Sequence, residues 1–481
     1  MSEAPALVWF QHDLRLADNP ALNAAVERGA PVIPVFIWAP EEEGRWRPGT
    51  ASQWWLHHSL AALGADLEKR GSRLIIRRGT AGAALNDLLA ESGASAVFWN
   101  RRYEPAATAR DRTLKSQFEE FGIDVGSFDG NLLFEPGTIR NGRGDPYRVF
   151  TAFWKACLSR LGAPRCQKAP EKLRAPGKWP RSLALSELKL EPAVDWSAGI
   201  GESWQPGERG AKKQLKRFVK AALRDYSAGR DRPGVVGTSR LSPHLHFGEI
   251  SPAEVWRSVQ NVADDGVVSE QTACDAYLRQ LGWREFAYHL LYRFPESTEQ
   301  CLRPEFADFP WMTDAKALRA WQQGKTGYPL VDAGMRELLQ TGWMHNRVRM
   351  VAASFLVKHL LIGWRQGAAW FWESLVDADL ANNSLGWQWV AGCGADAAPY
   401  FRIFNPVIQG EKFDPVGVYV RRWVPELARL PDRWIHKPWK APASQLAEAG
   451  LRLGRDYPLP IIAHDAARGR ALAALKNTRG R

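Results

Sequence analysis

The 481-residue sequence is poor in several features that would assign it quickly. No run of about 18 apolar residues occurs, so nothing in it reads as a membrane-spanning helix. The N-terminus, MSEAPALVWF, places an acidic residue before its apolar run and has no basic leader, so a secretory signal is not expected and a cytoplasmic protein is. Cysteines number five (Cys157, Cys166, Cys274, Cys301 and Cys393), an odd count with no C-x-x-C pair. That spacing argues against a disulfide framework, a zinc site or an iron–sulfur cluster, and the thiols read as buried or incidental. No G-x-G-x-x-G follows the first apolar run, and G-x-S-x-G, H-E-x-x-H and G-x-x-x-x-G-K-[ST] are missing too. Dinucleotide binding on the first strand, a serine nucleophile on an elbow, a zincin helix and a phosphate loop all lose their usual signatures.

What is present is basic and rich in indole. The net charge of +12 and pI near 9.5 favour an acidic partner, nucleic acid first. Tryptophan outnumbers tyrosine, 23 to 10, which fits base-stacking platforms, a core of large rings or a redox relay; composition does not choose. Apolar β-rich runs at Ala6–Phe10, Val32–Trp38, Leu74–Arg77 and Ala96–Asn100 alternate with amphipathic segments near 20–29, 52–70, 81–92 and 106–121. This rhythm predicts a parallel sheet covered by helices. The Pro-, Lys- and Arg-rich stretch 163–210 reads as an extended connection, and from about 210 onward the spacing of apolar residues is helical. The expected organisation is an α/β domain over 1–130, a linker over 131–210 and an all-helical domain over 211–475.

Three stretches carry chemistry. Between Tyr226 and Leu245, TSRLS offers hydroxyls and backbone N–H groups where a helix can begin, which suits an anion or a plain N-cap. His244 and His246 nearby lack a third ligand and read as structural. In TGWMHNRVRM, Asn346 and Met350 lie one turn apart on a helix face with Arg349 adjacent, a surface for a heteroaromatic ligand or an ordinary amphipathic helix. In LVDADLANNSLGWQW, Asp377 and Asp379 precede Asn383, and with no further carboxylate close by, a metal is not expected.

Taken with WFQHDLRLADNPAL, GTSRLSPHLHFGEISP, LRQLGWREF, GKTGYPLVDAGMRELLQTGWMHNRVRM and LANNSLGWQWVAGCGADAAPYFRIFNP, these stretches resemble the photolyase/cryptochrome flavoproteins over nearly the whole chain. The resemblance is nearer to DNA photolyases acting on cyclobutane pyrimidine dimers. It implies a Rossmann-like antenna domain with a parallel sheet and a larger helical domain holding FAD. On that likeness, Tyr226, Thr238, Ser239, Arg240, Leu241 and Ser242 would hold the FAD phosphates and ribityl chain. Arg349 would pair with Asp377 beside the isoalloxazine, Asp379 would accept hydrogen bonds from the cofactor, and Asn383 would face flavin N5. Trp387, Trp364 and Trp311 would form an electron-hopping chain from flavin to surface.

The resemblance also implies a site for a flipped dimer in double-stranded DNA, with Trp283 and Trp389 as walls, Asn346 and Met350 lining it, and Arg230, Arg284, Arg347 and Arg402 on flanking phosphates. Gln280 stands where many bacterial members have a glutamate. That glutamine and the spacer SLG before Trp387 resemble the class III branch related to plant cryptochromes. A signalling photoreceptor and a (6-4) lesion photolyase are the alternatives: Asn383 in place of aspartate speaks against the first, Asn346 in place of histidine against the second. The branch implies methenyltetrahydrofolate as antenna, with a deazaflavin as alternative, and Asn100, Tyr103 and Glu104 follow a strand end where α/β sheets bind ligands. A monomer associated with the nucleoid is expected. Asn382 has no assigned role.

Overall fold

The computed structural model describes residues 3–162, 164, 166–192, 197–265, 268–397 and 401–479. Ala163 and Arg165 of the expected connection, and Ala398, Pro399 and Tyr400 of the last motif, lie outside the described residues. The chain falls into two compact units. One contains Met1–Ala221, Ser239–Pro295 and Val376–Leu380; the other contains Ala222–Thr238, Glu296–Leu375 and Ala381–Arg481. This grouping cuts across the expected boundaries at 130 and 210.

The first unit is built on five parallel strands: β1 (Ala6–Phe10), β2 (Val32–Trp38), β3 (Ile75–Arg78), β4 (Ala96–Asn100) and β5 (Asp124–Phe128), in the order β3-β2-β1-β4-β5. Three of the four expected strands match residue for residue, and β3 starts one residue later. β5, DVGSF, was not expected, because its glycine, serine and acidic start lack a strand pattern. It forms as an edge strand, with β4 pairing it from Ala96↔Asp124 to Asn100↔Phe128.

Side chains alternate across this sheet. Ala6, Val8 and Phe10 of β1 pack with Ala21, Leu22 and Ala25 of helix α1 (Pro20–Glu27) and Trp54, Trp55, Leu60 and Leu63 of α2 (Thr50–Glu68). Leu7 and Trp9 point the other way, against Leu85 and Leu88 of α3 (Ala81–Ser92) and Leu114 and Phe118 of α4 (Pro105–Glu120). Each buried Val, Leu or Phe among these contributes about 1.5–3 kcal/mol of transfer free energy, so covering both faces fixes the strand register.

The strand order reverses between β1 and β4, the crevice where doubly wound sheets commonly bind ligands. Here polar side chains plug it. The Asn100 amide at the end of β4 donates to Asp13 Oδ2 (2.6 Å) and Asn19 Oδ1 (2.7 Å), and its oxygen accepts from Ala21 N. Burial pushes the Asp13 carboxyl up, against the pull of these amides. Arg15, 1% exposed, donates to the carbonyls of Asp18, Gly130 and Gly248. The expected connection is not a free tether either. Helix Phe150–Leu158 buries Phe150, Phe153 and Trp154, and the basic run is stitched down by Val32 N→Arg174 O, Leu173 N→Arg70 O and Leu183 N→Ile76 O.

The second unit is helical. Helix Pro329–Thr341 is pinned by two buried carboxylates. Asp332 accepts from Thr326 N and Oγ1, Gly327 N and the Tyr457 hydroxyl, while Glu337 accepts from the Tyr419 hydroxyl and His345 N. The stretch from Asn346 forms an α-helix, Asn346–Ser354, that widens into a π-turn at Phe355–His359. The buried polar ends of Lys358 and His359 find partners from that turn, at Ala391 O and His464 Nδ1, so the regular ladder yields to side-chain satisfaction.

Gly248 has φ +63°, and a Cβ there would lie 2.1 Å from the His12 carbonyl oxygen. Gly248→Ala is therefore expected to cost the first unit about 2 kcal/mol or more, read as a lower thermal or urea midpoint.

Candidate functional site

The helix Leu380–Ala391, which lies in the second unit from Ala381 on, carries two of the expected flavin and electron-transfer side chains, Asn383 and Trp387. The Asn383 amide N–H donates to Ala368 O (3.1 Å), which turns its side-chain oxygen the other way, available as an acceptor. Trp387, 3% exposed, lies edge-on to Phe371 (5.0 Å between centroids) and Trp321 (6.2 Å). Its ring covers Gly367, where a Cβ would come within 2.1 Å of Trp387 Cη2. Trp364 is 1% exposed and opens the helix Trp364–Ser374 that contains Gly367. Trp311 is half-buried and packs against Gly363, the residue before Trp364, because Met312 N bonds to Leu361 O and bridges to Ile362. The helix that Trp364 opens thus meets Trp387 at Gly367, and the residue before it meets Trp311. Trp389 projects elsewhere, its N–H donating to Asp396 O (3.1 Å).

Between the two tryptophans, Gln388 is 1% exposed. Its amide donates to Ser297 O (2.6 Å) and Gln300 O (2.7 Å) and accepts from Leu302 N (2.9 Å). The sequence reading gave this residue no role. Its signal was a lone polar residue among large apolar ones, which must be bonded if buried.

In the first unit, Asp379, just before that helix, is 6% exposed. It accepts from the Tyr288 hydroxyl and also meets the His246 ring (3.5 Å). Burial alone would raise its carboxyl, but the His246 ring, Arg284 and Tyr288 outweigh it and hold it well below the usual carboxylate range. His246 is thus a structural partner, as expected, and His244 pairs with Glu249, which also binds Trp55 Nε1 and Gly207 N. Asp377 is buried as well. Ser239 O accepts from the Gln214 side chain, Leu241 is buried, and Ser242 opens the short helix Ser242–His246. Arg240 stands in the left-handed region (φ 52°), its guanidinium 4.1 Å from the Trp204 ring. A non-glycine residue there marks local strain of the kind that accumulates at functional sites. In the second unit, Tyr226 is buried with Arg230 over its ring, Thr238 is half-buried, and Arg349 donates to Met344 O (2.7 Å).

Of the expected DNA-side residues, Asn346 is exposed and its amide donates to Met350 Sδ (3.9 Å), so the two do share a helix face. Arg347 pairs with Asp231 (2.8 Å), and Arg402 is exposed beside Phe404. In the first unit Trp283 is stacked on Phe150 (3.7 Å, 7°), and Gln280 bonds back to Ala276 O. Arg284 is turned inward, donating to Asn131 O and Leu245 O, which removes those donors from any phosphate. The expected antenna residues are also occupied. Asn100 plugs the β1–β4 crevice, as described above. The Tyr103 hydroxyl donates to Glu135 and Asp129, and Glu104 is bonded to Arg102. Loop ends of sheets bind ligands only where side chains leave room, and local sequence does not reveal such a plug.

Comparison with known proteins places this geometry. Residues 6–174 match the family model described as DNA photolyase, and residues 277–477 match the FAD binding domain of DNA photolyase. A deoxyribodipyrimidine photo-lyase of Agrobacterium fabrum is 52% identical over 98% of each chain. Cryptochrome-1 of Arabidopsis thaliana is 44% identical over 98% of this chain and 70% of its own. A crystal structure of a class III photolyase from Agrobacterium tumefaciens superposes with a TM-score of 0.96 at 50% identity, covering 100% of this chain and 99% of that one.

The chain belongs to the photolyase/cryptochrome family. Its fold is accordingly an N-terminal parallel-sheet α/β domain with a helical FAD-binding C-terminal domain. The residues present fit FAD on their own chemistry: an outward-turned Asn383 acceptor, a buried carboxylate at Asp379 held ionised, and a strained Arg240 within TSRLS. Among the described residues no group of histidines, cysteines and carboxylates could hold a metal, and no helix is long and apolar enough to cross a membrane.

Gly367→Ala is expected to displace the Trp387 ring. Because the contact is with a rigid indole in a packed core, the cost should be about 1–3 kcal/mol, seen as a lower unfolding midpoint, with FAD photoreduction slowed in the folded fraction.

Proposed function

We propose that this photolyase-family protein is a light-driven DNA repair enzyme, a deoxyribodipyrimidine photo-lyase that splits cyclobutane pyrimidine dimers in double-stranded DNA. The observation that carries repair over signalling is the pairing of exposed Asn346 with half-buried Met350 on one helix face, a polar and a soft group suited to a pyrimidine dimer. Bound FAD, in its reduced form, would supply the light-driven electron for ring opening; the remaining work belongs to protein side chains. Tyr226, Thr238 and Ser239–Ser242 would hold its phosphates and ribityl chain, Arg349 with Asp377 and Asp379 would fix its ring system, and Asn383 would accept at N5 without adding negative charge. Trp387, Trp364 and Trp311 would refill the flavin with electrons, since indole oxidises more readily than most side chains.

Trp283 and Trp389 would wall the flipped dimer, with Gln280 near it, and Arg230, Arg347 and Arg402 would meet phosphates. We read 1–130 as the antenna-type domain, 131–210 as the connection and 211–475 as the catalytic domain, acting as a monomer on nucleoid DNA. Methenyltetrahydrofolate is the proposed antenna, supported by the class III likeness; the absorption spectrum of extracted chromophores tests it.

The reduced protein should convert a thymine-dimer oligonucleotide to intact thymines in light and not in darkness, and leave a (6-4) oligonucleotide unchanged. Absence of light-dependent conversion, with FAD bound and DNA affinity intact, would favour the signalling photoreceptor. Arg402→Ala should weaken DNA binding similarly for damaged and intact sequences and reduce the log–log salt slope by about 1.

A further inference from the structure

The sequence reading gave the cysteines no part, but two of them meet. In the second unit, the segment around Cys301 is stitched to the end of the helix Leu380–Ala391. Gln300 O and Leu302 N both bond to the Gln388 amide, and Arg303 N bonds to Cys393 O. The thiols of Cys301 and Cys393 lie within reach of each other with Trp364 beside Cys301, and Cys393 Sγ donates to Gln388 Oε1 (3.9 Å). Cys301 is partly exposed, whereas Cys393 is fully buried. Beside Cys393 stands the Lys358 amine, also fully buried, bonded to Ala391 O (2.7 Å) and lying 2.9 Å from the Phe401 ring centre.

We propose that Cys301 and Cys393 are a redox-active dithiol that peroxide closes to an internal disulfide beside Trp364.

The roles follow from exposure. Cys301 is the thiol that solvent reaches, and the neighbouring Cys393, Trp364 and Arg365 lower it from the ordinary thiol value, so Cys301 is the attacking sulfur. Burial disfavours the charged form of the Lys358 amine and pushes it well below its ordinary value. The Cys301 thiolate attacks one peroxide oxygen. An S–O bond forms, the O–O bond breaks, and the departing oxygen leaves as water after taking a proton. Cys393 then passes its proton to Lys358 and attacks the Cys301 sulfur. The S–S bond forms, the S–O bond breaks, and hydroxide leaves and recovers that proton as water. The two thiols lose two electrons and the peroxide gains two. Closure removes the thiolate beside the Trp364 N–H, which would make that indole harder to oxidise. This last consequence rests on the proposed electron path, whereas the disulfide does not.

The test is made in the dark on the FAD-loaded protein: brief hydrogen peroxide treatment, alkylation of remaining thiols, and peptide mass spectrometry. The expected result is a linked Cys301–Cys393 peptide pair that dithiothreitol separates, with Cys301 reacting about tenfold faster at pH 7 than Cys166, an unpaired thiol raised by burial. The Cys393→Ser variant should accumulate a dimedone-trappable sulfenic acid at Cys301. Oxidation of wild-type Cys301 to sulfinic acid without the linked pair, or Cys166 reacting ahead of Cys301, would overturn the proposal. Either result is read from mass alone and is independent of whether the protein repairs DNA.

Discussion

The buried amide of Gln388 sets the geometry on which the neighbouring indoles depend. A primary amide with no exposure must find partners, and leaving it unsatisfied costs about 1–3 kcal/mol. Its bonds to Ser297 O, Gln300 O and Leu302 N fix the rotation of the helix Leu380–Ala391. Once that rotation is set, the neighbours have no freedom. Trp387 falls over Gly367, Trp389 reaches the Asp396 carbonyl, and Asn383 lies against Ala368 with its oxygen turned away. The same amide bonds the backbone on both sides of Cys301 and accepts from Cys393 Sγ, so one buried side chain touches both the indoles and the thiol pair.

The sheet shows the complementary use of buried polar groups. Its β1–β4 crevice has the topology of a ligand site, yet Asp13, Asn19 and Asn100 fill it with a closed hydrogen-bond network. A fully satisfied network of this kind is rigid and specifies one arrangement. It leaves the crevice as framework, in agreement with the missing glycine-rich turn and with an FAD-binding family match over 277–477.

Much of this was legible beforehand. Strands β1, β2 and β4 carry the β-branched and aromatic runs that a doubly covered strand needs, and their limits follow from sequence alone. Asn346 and Met350 meet because helix geometry puts residues four apart together. The illegible parts depend on partners distant in the chain. β5 exists through pairing with β4. Arg284 looks like a surface cation in sequence but turns inward because the carbonyls of Asn131 and Leu245 await it. Asn100 reads as a strand-end ligand, and only Asp13 and Asn19 show that its amide is already committed.

The central claim is that light moves an electron from the bound cofactor to a pyrimidine dimer in DNA. The excited-state lifetime of the reduced FAD cofactor, compared between dimer-containing and intact duplexes of the same sequence, tests it most directly. The account predicts a shorter lifetime with the damaged duplex alone. Equal lifetimes with both duplexes, under conditions where both are bound, would contradict it.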